Sequence, residues 1–165
     1  MHIGIDIEQF VRDPYGSGIQ RVLQYLALEW PHEIAHADFV VPLEGGHGLL
    51  TPQQAGELLT IPFLPRDPGA DIRDLVQAKL RELAPTRVRP GDLLSIYDAW
   101  LLPEVSYLPS VLERFVLFGR CVPTGMIGYD TLPMTEPANY RFTPGASAWV
   151  SEYFRLLAGA DAVVC

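Results

Sequence analysis

The chain has 165 residues, of which 48% are hydrophobic, and its 20 acidic and 12 basic residues give a formal net charge of −8. These values predict one domain with a substantial core and exclude nucleic acid as an expected partner, since binding to a phosphate backbone needs clustered Lys and Arg. The cysteines Cys121 and Cys165 fit no disulfide or metal-site spacing and favour a reducing cytoplasm, and we expect neither a signal peptide nor a membrane-spanning segment.

The first third of the chain alternates strand-like and helix-like segments. Residues 2–7 (HIGIDI) are short, apolar and β-branched, which predicts a buried strand. Apolar residues then follow helical spacing, with Ser17 as the predicted N-cap and Pro31 as the stop. Residues 37–42 (ADFVVP) predict a second strand.

The middle third is less regular. Residues 43–69 are rich in Gly and Pro, and they predict a long irregular loop with one short helix near 52–60. Apolar residues again follow helical spacing over 71–84, which predicts a helix. Residues 92–97 then predict a strand that ends at Asp98.

The last third continues the alternation with a predicted helix over 108–118 and a strand over 121–130 (CVPTGMIGYD) that ends at Asp130. Thr143 predicts the N-cap of a further helix that closes at Gly159, and residues 160–165 predict a last strand. Near-continuously apolar strands separated by helices are typical of βαβ units. The sequence therefore predicts an α/β fold with a doubly wound, Rossmann-like parallel sheet.

The turn after the first strand contains the first candidate site, in Gly16, Ser17, Gly18 and Arg21. A helix N-terminus offers unpaired N–H groups to a phosphate, and glycines let a ligand approach the backbone. The alternative is a tight turn in which Arg21 caps a carbonyl or pairs with an acid. The spacing is neither the dinucleotide-binding nor the P-loop pattern, so both interpretations stay open.

Residues 32–36 (HEIAH) match the zinc-protease pattern H-E-x-x-H. That chemistry needs His32 and His36 on one face of a continuous helix, with Glu33 beside a metal-bound water. Pro31 precedes the motif and a predicted strand follows it. We therefore expect a polar helix-to-strand connector and no metal site.

Three segments together carry a resemblance to a known family. RDPYGSGIQRV after the first strand, RPGDLLSIYDAW in the middle, and GYDTLPMTEP followed by a helix and ADAVVC resemble the N-terminal domain of retaining GT-B-type glycosyltransferases of family 4. The pattern is most similar to bacterial mannosyltransferase-like enzymes of polysaccharide assembly. The resemblance extends from the first strand to the last.

The resemblance implies that this chain is the acceptor-side half of a GT-B fold. It implies that Gly16, Gly18 and Arg21 lie near the donor diphosphate, and that Asp130 is the catalytic carboxylate beside the transferred sugar. Asp98, at a predicted strand end, is expected to bind an acceptor hydroxyl, and the structural alternative for both Asp98 and Asp130 is a helix N-cap or an Asx-turn. Sugars stack on aromatic rings, so Trp100 and Tyr129 are also expected to bind the acceptor.

The expected substrates follow from the same resemblance. A nucleotide-sugar such as GDP-mannose is the implied co-substrate, a polysaccharide or lipid-linked glycan is the acceptor, and neither a cofactor nor a metal is expected. No glutamate pair has the Glu-x7-Glu spacing of the family's second domain. We therefore expect the C-terminal nucleotide-sugar-binding domain to be absent from this chain. A cytoplasmic location with loose membrane contact is implied as well.

Two other functions remain as alternatives. The chain could be a binding module for carbohydrate or nucleotide without catalysis. The zinc metallopeptidase through His32, Glu33 and His36 is the least favoured, because short motifs out of context are usually accidental.

Overall fold

The computed structural model of the chain describes residues 1–67, 69–129 and 146–164. The strands are β1 His2–Asp6, β2 His36–Leu43, β3 Gly46–Leu50, β4 Thr86–Val88, β5 Ala99–Leu102, β6 Thr124–Ile127 and β7 Ala162–Val164. The helices are α1 Glu8–Arg12, α2 Gly18–Leu28, α3 Pro52–Thr60, α4 Ile72–Leu83, α5 Pro109–Phe118 and α6 Ala146–Gly159, with 3-10 helices at Ile61–Phe63 and Pro90–Ser95.

The strands form one seven-stranded sheet in the order β4-β3-β2-β1-β5-β6-β7. Strands β2, β1, β5, β6 and β7 are parallel, whereas β3 runs antiparallel to both β2 and β4. Helices flank this mostly parallel sheet, which confirms the predicted α/β class and is compatible with a Rossmann-like fold.

The order of the strands reverses at β1. From β1 the chain moves to β2 on one side, and it later returns to place β5 on the other side. Ligands of open α/β sheets bind beyond the carboxyl ends of the strands at such a topological switch point. Here that point lies where β1 ends at Asp6 and β5 ends at Leu102.

Two hydrophobic cores pack against the sheet. Side chains of β2 alternate between them, since Phe39 and Val41 belong to one core and Val40 to the other. The first core includes buried residues of α1, α2, α3 and α4, and the second includes those of β5, α5, β6 and α6. The central strands therefore support both layers.

Most of the predicted helices are confirmed, and their starts follow local capping. Ser17 Oγ accepts a hydrogen bond from the Gln20 N–H at 3.1 Å, so Ser17 is the N-cap of α2. Thr51 and Gln54 form a reciprocal capping box at the start of α3. Helix α6 ends at Gly159 as predicted, whereas its predicted N-cap, Thr143, lies outside the described residues.

The predicted strand over 92–97 is wrong. Pro90–Ser95 forms a 3-10 helix, in which Ser95 Oγ donates a hydrogen bond to the Asp92 carbonyl oxygen at 2.7 Å. Strand β5 begins only at Ala99, so Asp98 precedes the strand instead of ending it.

The expected irregular loop over 43–69 is wrong in its first part. Residues 44 and 45 connect β2 to β3 as a tight hairpin, in which Leu43 pairs with Gly46 and Gly45 has a φ of +77°. Strands β3 and β4, like the short helix α1, were not predicted. No helix in the described part of the chain has the length and apolar character needed to cross a bilayer.

Candidate functional site at the topological switch point

Buried polar side chains concentrate at the switch point. Eight polar or charged side chains are buried in the described part of the chain, and six of them lie on or beside the segments that follow β1 and β5. These six are Asp6, Glu8, Gln9, Gln20, Glu104 and Ser106. Because burying polar groups costs free energy unless they are paired, such a concentration marks this edge as a candidate site.

An ion cluster fixes the start of α1 against α5. Arg114 Nε donates to Asp6 Oδ2 at 2.7 Å, and Arg114 Nη2 donates to Glu8 Oε2 at 2.9 Å. Glu8 Oε1 also accepts from Arg12 Nε at 2.8 Å and from Ser110 Oγ at 3.1 Å. Burial alone would raise the pKa of Glu8, but hydrogen bonds from the two arginines hold it below its ordinary value. The arginines thus compensate the charge of Glu8, whereas burial raises the pKa of Asp6 in spite of the opposing effect of Arg114.

Two glutamines hold the loops above this cluster. Gln9 Oε1 accepts hydrogen bonds from Ser106 Oγ at 3.0 Å and from the Tyr107 N–H at 3.4 Å. Gln20 Oε1 accepts from the Tyr15 N–H at 3.0 Å and the Gly16 N–H at 2.9 Å. Gln20 Nε2 in turn donates to the Asp13 carbonyl oxygen at 3.0 Å. The loops after β1 and β5 are therefore fixed before any ligand arrives.

Glu104 is a buried carboxyl group. It follows β5 by two residues, the residue is 3% exposed, and Oε2 has no hydrogen-bond partner among the residues that the structure describes. Burial raises the pKa of Glu104 to about 8, which hydrogen bonds from Gln20 and the Phe10 N–H oppose and the nearby Asp6 and Asp13 reinforce. The group is therefore mostly neutral at pH 7 and can donate as well as accept a hydrogen bond.

Two tyrosines form the exposed rim of this site. Tyr15 is 60% exposed and Tyr107 is 44% exposed. Tyr107 Oη donates to Asp13 Oδ2 at 2.9 Å, and Arg73 Nη2 donates to Asp13 Oδ1 at 2.6 Å. Burial raises the pKa of Tyr15, and the nearby charges of Glu104 and Asp13 raise it further. The rim thus combines aromatic faces with hydroxyl groups.

The predicted turn lies next to this rim. Gly16 has a φ of +72°, and a Cβ on it would lie 3.4 Å from Pro62 Cβ. Gly18, in contrast, has open space around it. The Arg21 guanidinium stacks on Phe63, 3.7 Å from the ring centroid, and donates to Gln24 Oε1 at 3.3 Å. The bond to the amide carbonyl oxygen of Gln24 is a contact of the kind that the structural alternative predicts, and phosphate binding by the turn stays a prediction.

Two predicted acceptor residues do not lie at this edge. Asp98 Oδ2 accepts from the His2 N–H at 2.8 Å, which places it at the amino edge of the sheet. Trp100 is 1% exposed and stacks on Phe118 with ring centroids 3.9 Å apart. The expected positions are wrong because the 3-10 helix displaces the start of β5, which puts Asp98 before the strand and Trp100 inside the core.

The remaining predicted residues follow β6. Tyr129 is half-buried, and its hydroxyl donates to the carbonyl oxygen of Pro103, which precedes Glu104. The pKa of Tyr129 is raised by burial and by the charge of Glu104. Tyr129 is thus brought to the same edge as the rim. Asp130, the predicted catalytic residue, lies outside the described residues.

The H-E-x-x-H segment does not form the helix that a zinc site of that type needs. Residues 32–34 form a turn, and His36 is already the first residue of β2. No group of three or more His, Cys, Asp or Glu side chains suited to a metal ion occurs among the described residues. The metallopeptidase alternative therefore has no structural support.

Glu104 is the functional candidate that the sequence analysis missed. Residues 100–104 read WLLPE, so a carboxyl group directly follows a short apolar run. The rule that selected Asp98, a carboxylate at a strand exit, selects Glu104 once β5 is placed at Ala99–Leu102. A carboxyl group after an apolar run is thus visible in the sequence, but a predicted strand over 92–97 points to Asp98, whereas the observed strand Ala99–Leu102 points to Glu104.

No family model, no curated protein and no solved structure matches this chain. An interpretation of its function therefore depends on the chemistry of the switch point together with the resemblance in the turn and strand-end segments.

Proposed function

We propose that this chain is the acceptor-side, Rossmann-like domain of a retaining glycosyltransferase. The enzyme transfers a hexose such as mannose from a nucleotide-sugar to a polysaccharide or lipid-linked glycan. A second domain that binds the nucleotide-sugar is required for transfer. The observation that carries the proposal is the rim of Tyr15 and Tyr107 over prearranged buried polar groups at the switch point.

The rim suits a sugar because sugars present both apolar C–H faces and hydroxyl groups. The exposed rings of Tyr15 and Tyr107 offer stacking surfaces. Asp13 holds the Tyr107 hydroxyl, and Gln20 holds the backbone of Tyr15, so little ordering is needed on binding. Oε2 of Glu104 is a buried polar atom without a hydrogen-bond partner in the described part of the chain, and a ligand hydroxyl could supply one.

Glu104 also suits proton transfer. A carboxyl group whose pKa is about 8 is present in both protonation states near neutral pH, which is the condition for efficient acid–base catalysis. In this proposal Glu104 orients an acceptor hydroxyl, the turn at Gly16–Gly18 faces the donor diphosphate, and Asp130 stabilises the oxocarbenium-like sugar. The role of Asp130 rests on the resemblance alone.

The first test is glycan binding by variants of two exposed tyrosines. Tyr15→Ala removes a rim ring, whereas Tyr25→Ala removes a ring that is 56% exposed in the second half of α2. We expect Tyr15→Ala to weaken binding of mannose oligosaccharides up to about tenfold in calorimetric titrations, because it removes a stacking surface. Tyr25→Ala should bind like the unchanged chain. Absence of saturable glycan binding, or equal weakening in both variants, would contradict the proposal.

A transfer assay separates the enzyme from the alternative binding module. With GDP-mannose and a donor-binding domain supplied, hexose transfer that Asp130→Asn reduces by about a hundredfold or more supports the enzyme. Glycan binding without any transfer supports a carbohydrate-binding module.

A further inference from the structure

Four arginines converge on one groove outside the switch point. The groove has a volume of about 900 Å³, and Arg12, Arg73, Arg81 and Arg87 line it. They are four of only 12 basic residues in a chain of net charge −8. Glu44 is the only acidic residue among the described residues that line it. Because Glu8 and Asp13 pair with Arg12 and Arg73, the excess positive charge of the groove comes from Arg81 and Arg87.

The four side chains come from three separate elements. Arg12 ends α1, Arg73 and Arg81 lie on α4, and Arg87 lies in β4. Two helical turns separate the α4 arginines, which corresponds to about 12 Å along the helix axis. The cations are thus distributed over a length that a single carboxylate does not span, so a ligand that contacts several of them carries more than one anionic group.

The arginines retain unused donors. Arg12 pairs with Glu8 through Nε, and Arg73 pairs with Asp13 through Nη2. Arg87 donates to the Glu44 carbonyl oxygen at 3.4 Å, and Arg81 has no hydrogen bond or ion pair within the described ranges. Since each guanidinium has five N–H donors, most of them remain available for a ligand.

Apolar residues form part of the wall of this groove. Val11, Leu43 and Leu80 line it together with Gln77. A low-dielectric wall beside clustered cations strengthens their field and raises the local concentration of anions. Arginine is also the residue that best matches phosphate oxygens with two parallel hydrogen bonds.

We propose that this groove is a binding site for phosphate groups, and specifically for a diphosphate carried by a larger ligand. Asp13 joins the groove to the rim, because one of its carboxylate oxygens pairs with Arg73 and the other accepts from Tyr107. The groove and the rim are therefore neighbours that are linked through one side chain. The proposal needs only the groove and does not depend on sugar transfer.

The test compares two double variants of the full chain. Arg81→Gln with Arg87→Gln neutralises two groove cations that form no ion pair with a carboxylate of any described residue. Arg66→Gln with Arg120→Gln removes the same charge from exposed positions outside the groove. Binding of inorganic pyrophosphate by titration calorimetry should weaken at least tenfold in the groove variant and less than about twofold in the control.

Vesicles identify the source of the phosphate. Cosedimentation with phosphatidylglycerol vesicles, but not with phosphatidylcholine vesicles, would assign the groove to a lipid headgroup, provided that the groove variant loses it. Saturable binding of pyrophosphate alone would assign it to a soluble ligand. Binding of neither probe, or equal loss in the groove and control variants, would overturn the proposal. Glycan binding measured in the same variants is a separate readout and reports on the switch point.

Discussion

Glu104 shows how a single side chain can connect the site to the stability of the fold. Its folded pKa of about 8 lies above the ordinary value of 4.5 because burial disfavours the charged form. Between these two values the unfolded chain releases a proton that the folded chain retains. The contribution of Glu104 to the free energy of unfolding therefore decreases as pH rises through this window, and this contribution is fully present only below about pH 4.5.

Glu104→Gln should remove this pH dependence, since the amide resembles the neutral acid but does not ionise. We expect the free energy of unfolding of Glu104→Gln, relative to the unchanged chain, to increase by about 1 kcal/mol per pH unit between pH 5 and 8. Urea unfolding of both chains at several pH values measures this difference in the free energy of unfolding. Glu113→Gln, an exposed change on α5, serves as the control and should show a constant difference. Parallel profiles for Glu104→Gln and the unchanged chain would refute the assignment of a raised pKa.

At the scale of the element, the two glycines at the start of α2 differ in their backbone conformation and in the space around them. Gly16 needs a left-handed backbone and has Pro62 and Phe63 as neighbours, whereas Gly18 begins the helix with open space around it. An alanine at position 16 has to adopt a conformation that is unfavourable for any residue with a Cβ. An alanine at position 18 meets neither restriction.

Gly16→Ala should lower the free energy of unfolding by about 1–2 kcal/mol, and Gly18→Ala should change it by less than about 0.5 kcal/mol. Urea denaturation of the two variants provides a matched comparison two residues apart. Equal effects would mean that the left-handed turn is not a constraint on the fold.

The elements also explain which predictions from sequence succeed. Helices α2, α3 and α4 begin at residues whose side chains cap their own first turn, so a short local pattern is sufficient to predict them. Strand β5 depends on pairing with β1 and β6, which are distant in sequence. The apolar run before it lies in a 3-10 helix that begins at Pro90, and periodicity alone does not distinguish the two.

The contrast between local features and features that depend on distant residues also explains which parts of the site can be predicted. Ser17 is a local feature and was predicted as an N-cap. Glu104 becomes a candidate once β5 is placed at Ala99–Leu102, and its raised pKa depends on its burial, which local sequence does not determine. The predictions for Asp98 and Trp100 depend on a strand over 92–97, whereas the structure has a 3-10 helix at Pro90–Ser95 and a strand at Ala99–Leu102.

At the scale of the whole molecule, the two cores share the central strands. Ile5 of β1 lies in the first core, while a Cβ on its neighbour Gly4 would lie 2.5 Å from Trp100 of the second core. Neither layer can therefore lose its packing without disturbing the strands that support the other. We infer that the domain unfolds as one unit.

Unfolding in urea should give the same midpoint by amide circular dichroism and by tryptophan fluorescence. Trp30 packs against the first core and Trp100 lies inside the second, so fluorescence reports on both layers. Two separate transitions, or midpoints that differ between the two signals, would show that the layers unfold independently.

Gln20 belongs to α2, yet its amide group determines the shape of the loop that carries Tyr15. The backbone geometry of this part of the rim is consequently determined by a side chain of α2 and not by the loop's own sequence. Exposed side chains such as those of Tyr15 and Tyr107 can be exchanged while the backbone beneath them keeps its form. A scaffold of this kind allows ligand preference to diverge without a new fold being required.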